Sequence, residues 1–239
     1  MVLRVVAAGR SDVGLLREHN EDSFALLHAH GLFVVADGMG GHRAGEVASQ
    51  LATSPVTAFF DSTMREDATW PFHYDPALSP EENRLLTSIK VANKSIYEES
   101  ARNPDRRGMG TTVVAALFFD NRISIAHVGD SRLYRMRGGT IEQVTLDHSL
   151  LQEQIDAGLI TPEQAAFSAN KNLVTRAVGV EDTVLLETHQ HEVLAGDVYL
   201  MCSDGLSDML DDSSICQVLQ AHDSLEAGCR ALIEAANDA

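Results

Sequence analysis

Two turn signals constrain this chain more than any other feature. Asp120-Asn121 separates the apolar run Thr111–Phe119 from Arg122–Val128, and Arg137-Gly138-Gly139 separates Arg132–Met136 from Thr140–Thr145. Runs of five to nine residues joined by two or three turn residues read as hairpin strands. Strands joined this tightly must pair antiparallel, because a parallel crossover needs about a dozen residues or more. The parallel nucleotide-binding folds are thereby excluded. Leu32–Ala36 and Asp197–Ser203 read as further strands, and Met1–Gly9 as an opening one.

Helices are marked by their caps. Ser79-Pro80-Glu81-Glu82 places a hydroxyl at the N-cap, proline at N1 and glutamate at N3, the capping-box pattern. Leu85, Ile89, Ala92 and Ile96 then fall on one helical face. Thr161-Pro162-Glu163-Gln164 repeats the signature, Ala44, Val47, Ala48 and Leu51 form a stripe in a helix starting near Arg43, and Ser224 caps a final helix. Hairpin strands with long intervening helices predict sheet layers covered by helices. No linker, repeat or low-complexity stretch divides residues 1–239, and that length suits one domain, since splitting begins beyond about 250 residues.

The acidic and basic residues number 35 and 18, a net charge of −17. Such a surface lacks the cations that phosphate backbones demand, which disfavours nucleic acid and anionic membranes as partners. Cys202, Cys216 and Cys229 are an odd number without CxxC spacing, so they read as small core residues in a reducing compartment. The N-terminal apolar run is too short for a signal peptide or a membrane span, and the expected location is the cytoplasm.

Particular acids stand at the ends of strands. Leu32–Ala36 runs into Asp37-Gly38, Ile123–Val128 into Gly129-Asp130, and Val198–Cys202 into Ser203-Asp204-Gly205, while Glu21-Asp22 precedes the segment Ser23–Leu27. One Asp-Gly after a strand is ordinarily a turn. Four such acidic positions, if they converge, would repel one another unless cations or protons neutralise them. Oxygen-only donors suit Mg²⁺ or Mn²⁺, and a pair of such ions suits hydrolysis of a phosphate ester.

These stretches resemble the bacterial metal-dependent protein phosphatases of type 2C. The resemblance rests on Gly14-Leu15-Leu16-Arg17-Glu18-His19-Asn20-Glu21-Asp22, Val35-Ala36-Asp37-Gly38-Met39-Gly40-Gly41-His42, Gly108-Met109-Gly110-Thr111-Thr112, His127-Val128-Gly129-Asp130-Ser131-Arg132, Asp147-His148-Ser149 and Ser203-Asp204-Gly205-Leu206. Six blocks in this order span almost the whole chain. The resemblance implies an α+β fold, a four-layer αββα sandwich of two antiparallel sheets flanked by helices. It implies two Mg²⁺ or Mn²⁺ ions, with Asp37 bridging, Gly38 offering its carbonyl, Asp22 and Asp204 as ligands and Glu21 acting through water. Asp130 with Asp204 would form a third metal position. Arg17 would grip the substrate phosphate, Arg176 would approach the substrate, and water activated at the metals would be the nucleophile. Met39 stands where many relatives carry a histidine, so His42 is the first candidate for the general acid and His148 the second.

Residues 150–179 resemble the family's flap beside the active site, with Asn172–Gly179 as the strand after it. The family's last turn and strand, with its metal-binding aspartate, have no counterpart up to Ala239, so a missing C-terminal strand is expected. The implied substrates are phosphoserine and phosphothreonine proteins. The implied partners are an opposing Ser/Thr kinase and, in a type VI secretion setting, a forkhead-associated-domain protein; the expected state is a monomer. The competing reading is a non-catalytic regulatory or phosphoprotein-binding module with an incomplete metal site. A phosphodiesterase or nuclease ranks below both, on charge.

Overall fold

A computed structural model describes residues 3–40, 44–63, 70–165, 168 and 173–239. Asp120 and Asn121 take φ of 46° and 58°, the left-handed pair that a tight hairpin needs. They join β4 (Val113–Phe119) to β5 (Arg122–Val128) in unbroken antiparallel register, Val113 opposite Val128 through Phe119 opposite Arg122. Gly138 and Gly139, at φ of 58° and 84°, do the same between β6 (Arg132–Arg137) and β7 (Thr140–Gln143), while a 3-10 turn at His28–His30 and left-handed Gly31 join β1 (Asp22–Leu27) to β2 (Leu32–Met39). β3 (Gly110–Thr111), β8 (Glu187–Glu192) and β9 (Val198–Cys202) complete the strands.

The larger sheet runs β1-β2-β4-β5-β8, with β3 also on β2, and the smaller runs β7-β6-β9. All described pairings are antiparallel, including those between strands that no tight turn joins. Seven helices fall among the described residues: α1 (Ala44–Thr63), α2 (Pro80–Arg102), α3 (Leu150–Asp156), α4 (Pro162–Ala165), α5 (Asp204–Ser207), α6 (Asp212–Gln220) and α7 (Leu225–Asp238). The Ser79 capping box is formed in full, with Glu82 N–H on the Ser79 hydroxyl at 3.1 Å and Ser79 N–H on the Glu82 carboxylate at 2.9 Å.

Three apolar clusters show four layers. Val56 and Phe60 of α1 and Leu85, Ile89 and Ile96 of α2 pack on one face of the larger sheet. Val114, Ile123 and Ile125 meet Leu133 between the sheets. Tyr134, Ile215 and Leu232 join the smaller sheet to α6 and α7. The expected αββα sandwich is the observed one.

Several local expectations need correction. Residues 3–9 form no strand; Met1 and Val2 lie outside the described residues. The segment alternates in exposure as a strand would, but it borders an open cavity of about 700 Å³. Among the described residues no strand pairs with it, and its Leu3 N–H bonds the Asn121 side chain. Residues 173–179 likewise make only isolated bridges, Val174 with Ser149 and Val178 with Thr111. Of the cysteines, only Cys202 is fully buried; Cys216 and Cys229 are half-buried on the outer helices. β8 was not expected, because its sequence Glu-Thr-His-Gln-His-Glu has no apolar face.

Candidate functional site

Hairpin register creates the centre of the site. The β1–β2 pairing sets Asp22 directly opposite Asp37. Asp37 is held through its backbone: its N–H donates to the Thr112 hydroxyl at 3.0 Å, while its carbonyl accepts from Thr112 N–H and from the Thr111 hydroxyl, both at 2.8 Å. Its carboxylate is thus left free to face the other acids. Asp22 accepts a hydrogen bond from the Ser203 hydroxyl at 2.9 Å, which ties the larger sheet to the end of β9. Asp204 follows as the first residue of α5. Asp130 is buried at the end of β5, after Gly129 with φ of +105°.

Gly38 is required by space. A Cβ there would stand 2.0 Å from the Gly45 carbonyl oxygen, and one on Gly45 would stand 2.5 Å from the Glu21 carboxylate. The two glycines let the start of α1 close against β2. Gly38 N–H also bonds the Glu21 carbonyl at 3.1 Å. Gly45 carried no signal in the sequence beyond being a glycine in a helical stretch.

The electrostatics follow from this crowding. Burial raises the Asp37 carboxyl, the charges of Asp22 and Asp204 raise it more, a hydrogen bond with Asp204 and the charge of Asp130 add to this, and it is pushed up to about 9. Asp22 is raised, first by burial, although the Ser203 hydrogen bond opposes it. Asp130 is pushed up to about 6 by burial and then by Asp204. Such a set is costly without a neutralising partner, and hard divalent cations are the partner its oxygen donors suit. The residues present therefore fit a Mg²⁺ or Mn²⁺ centre.

Arg17 is exposed at the rim and pairs with Glu21 at 3.0 Å, with 67% of its side chain open to solvent. Arg176 is exposed, and its charge bears on His148. His148 is 5% exposed and occupied at both ring nitrogens: Gly129 N–H donates to Nδ1 at 3.1 Å, and Nε2 meets Glu187 at 3.1 Å. Both nitrogens of this second candidate are thus engaged within the fold. His42 lies outside the described residues, as do residues 169–172 of the flap region. The supporting hydroxyls of Thr111, Thr112 and Ser203 were not singled out by sequence reasoning, although each stands within one of the six blocks.

The family description "Protein phosphatase 2C" matches residues 17–235. This chain belongs to the protein phosphatase 2C family. Among type 2C relatives, the Ser/Thr protein phosphatase PstP of Mycobacterium tuberculosis is 40% identical over 99% of this chain. The chain spans only 42% of that relative's length. The Ser/Thr phosphatase stp of Listeria monocytogenes is 36% identical over 95% of this chain and 88% of its own. The crystal structure of the PstP catalytic domain with two manganese ions superposes with a TM-score of 0.79, at 38% identity over 96% of this chain and 90% of that one. PppA of Pseudomonas aeruginosa, described as a regulatory component of type VI secretion, superposes with a TM-score of 0.77, at 36% identity over 96% and 89% of the two chains.

Proposed function

We propose that this chain is a metal-dependent phosphatase that hydrolyses phosphoserine and phosphothreonine in proteins. The observation that carries the reading is the register that sets Asp22 opposite Asp37, where burial first and then the charges of Asp22, Asp204 and Asp130 push the Asp37 carboxyl up to about 9. Membership of the type 2C family and the manganese pair described for the PstP domain support it.

Asp37, Asp22 and Asp204, with the Gly38 carbonyl, would hold two Mg²⁺ or Mn²⁺ ions, and Asp130 with Asp204 would offer a third position. When bound, the ions supply charge neutralisation for the phosphoryl oxygens and activation of a water. The chain's residues do the positioning. Ser203 holds the Asp22 carboxylate, the Thr111–Thr112 pair fixes the Asp37 backbone, and the Gly38–Gly45 contact fixes the height of α1 above them. Arg17, loosely paired and exposed, exchanges Glu21 for two phosphate oxygens, which a guanidinium fork fits.

The chain would oppose a Ser/Thr kinase in the cytoplasm, and the likeness to PppA favours a type VI secretion pathway, with a forkhead-associated-domain partner. Among the described residues, no helix is long and apolar enough to cross a membrane. Initial rates on a phosphothreonine peptide and on p-nitrophenyl phosphate, with Mn²⁺ and with EDTA, test the activity. Mn²⁺-dependent turnover that Asp37→Asn abolishes is expected; no turnover of either substrate by the Mn²⁺-loaded protein overturns the reading.

A further inference from the structure

The backbone that presents Asp130 is held by His148. Gly129, just past the end of β5, has φ of +105°, and a Cβ there would stand 2.6 Å from the Thr112 side chain, so only glycine fits. Both backbone polar groups of Gly129 go to the one histidine. Its carbonyl accepts from the His148 N–H at 2.9 Å, and its N–H donates to His148 Nδ1 at 3.1 Å. On the other side of Asp130, the Ser131 hydroxyl meets the Thr112 hydroxyl at 2.6 Å. Asp130 thus stands between two anchored residues, and one anchor is an imidazole.

That imidazole serves in one tautomer only. Nδ1 must be bare to accept the Gly129 N–H, so the ring proton sits on Nε2. The Glu187 carboxylate, 3.1 Å from Nε2, accepts that proton's hydrogen bond and so keeps Nδ1 free for Gly129. The ring is also clamped from its face. It stacks on His127 with centroids 4.8 Å and planes 5° apart, and His127 is itself tied through Nε2 to the Leu146 carbonyl at 2.9 Å. The His148 carbonyl accepts the Thr175 N–H at 2.8 Å, beside the Ser149–Val174 bridge. Every polar atom of His148 is therefore engaged, and Gly129 takes two of its bonds. Filling the core would need bulk alone; this ring is aimed at the residue before an acid of the metal centre.

We propose that His148 is a positioning residue for the third metal position, clasping the Gly129 backbone through Nδ1 so that Asp130 can share an ion with Asp204, while Glu187 keeps that nitrogen free to accept. The inference rests on the reading above that gives Asp130 and Asp204 this ion. Hydrogen-bond partners standing behind metal ligands typically set affinity by about ten- to a hundredfold.

The test is a calorimetric Mn²⁺ titration of the whole chain, which reads the ion positions whether or not substrate is turned over. The binding step that Asp130→Asn removes defines the third position. In asparagine the side-chain oxygen can stand where Nδ1 stood, and in glutamine the amide nitrogen where Nε2 stood. His148→Asn, which keeps the Gly129 bond, is expected to hold that step within about threefold of wild type. His148→Gln keeps only the Glu187 bond and is expected to weaken it at least about tenfold. Glu187→Ala, at a partly exposed strand position, spares the buried ring and is expected to weaken the step more than about threefold. With p-nitrophenyl phosphate, His148→Gln should lower kcat with KM within about twofold, and should lower it no further in the Asp130→Asn protein. An Asp130-dependent step that stays within about twofold in both His148→Gln and Glu187→Ala overturns the proposal, as does the absence of any such step. So does a kcat loss from His148→Gln that persists undiminished beside Asp130→Asn. A wild type that shows this binding pattern but turns over no substrate overturns the phosphatase reading instead, and leaves the positioning role standing.

Discussion

Without cations, Asp37 should destabilise this fold, and removing its charge should help. Its carboxyl rises from 3.8 to about 9 on folding. Between those values the folded state keeps a proton that the unfolded state releases, so stability is fullest below about pH 4 and declines as pH rises towards 9. At about 1.36 kcal/mol per unit, the interval from 3.8 to pH 8 sets a ceiling of about 6 kcal/mol. The site is half-buried and open to water, and an effective dielectric of about 20 reduces this to about 1–2 kcal/mol. Asp37→Asn, which keeps the shape and removes the charge, is therefore expected to raise the melting temperature by about 3–6 °C in EDTA at pH 8. The gain should shrink to nothing near pH 4. Saturating Mn²⁺ should reverse the order, since wild type gains ligand binding energy that the variant lacks. Thermal unfolding followed by circular dichroism across pH 4–9, with EDTA and with Mn²⁺, measures all three effects. An Asp37→Asn protein less stable than wild type in EDTA at pH 8, by a margin that does not change with pH, refutes the reasoning.

Other expectations follow from single contacts. Gly38→Ala drives a methyl group to 2.0 Å from the Gly45 carbonyl, so chemical denaturation should show a loss of about 2 kcal/mol or more, with weakened Mn²⁺ binding. Ser203→Ala frees Asp22, and calorimetry should find Mn²⁺ affinity lower by about tenfold; an unchanged affinity denies Ser203 its positioning role. Arg17→Ala should raise KM for a phosphopeptide by about tenfold while melting shifts little, because an exposed pair such as Arg17–Glu21 contributes under about 1 kcal/mol. Arg132 makes a two-pronged bond to Asp147, at 2.9 and 2.6 Å; Arg132→Leu strands that acid half-buried and should cost about 3 kcal/mol in a denaturant titration.

What could be read from the chain alone was whatever neighbouring residues decide. The Asp120-Asn121 hairpin, the Ser79 capping box and the Ser224 cap each depend on backbone geometry over a few residues, and each formed as expected. Asp37, Asp130 and Asp204 could be picked out because strand ends mark them, and the order of the six blocks carried the family. Tertiary structure alone decided what distance along the chain conceals. Ser203 holds Asp22 across 181 positions, and Gly45 admits Gly38 only because α1 folds back over β2. The polar strand β8 was invisible to hydrophobic periodicity because its buried face is histidine and glutamate, stabilised by side chains from β5 and from Asp147-His148-Ser149. Residues 3–9 failed in the opposite sense: their pattern suits a strand, but a strand exists only where another backbone stands beside it. Local chemistry thus named the acids, and only the packing of two sheets could say that they meet.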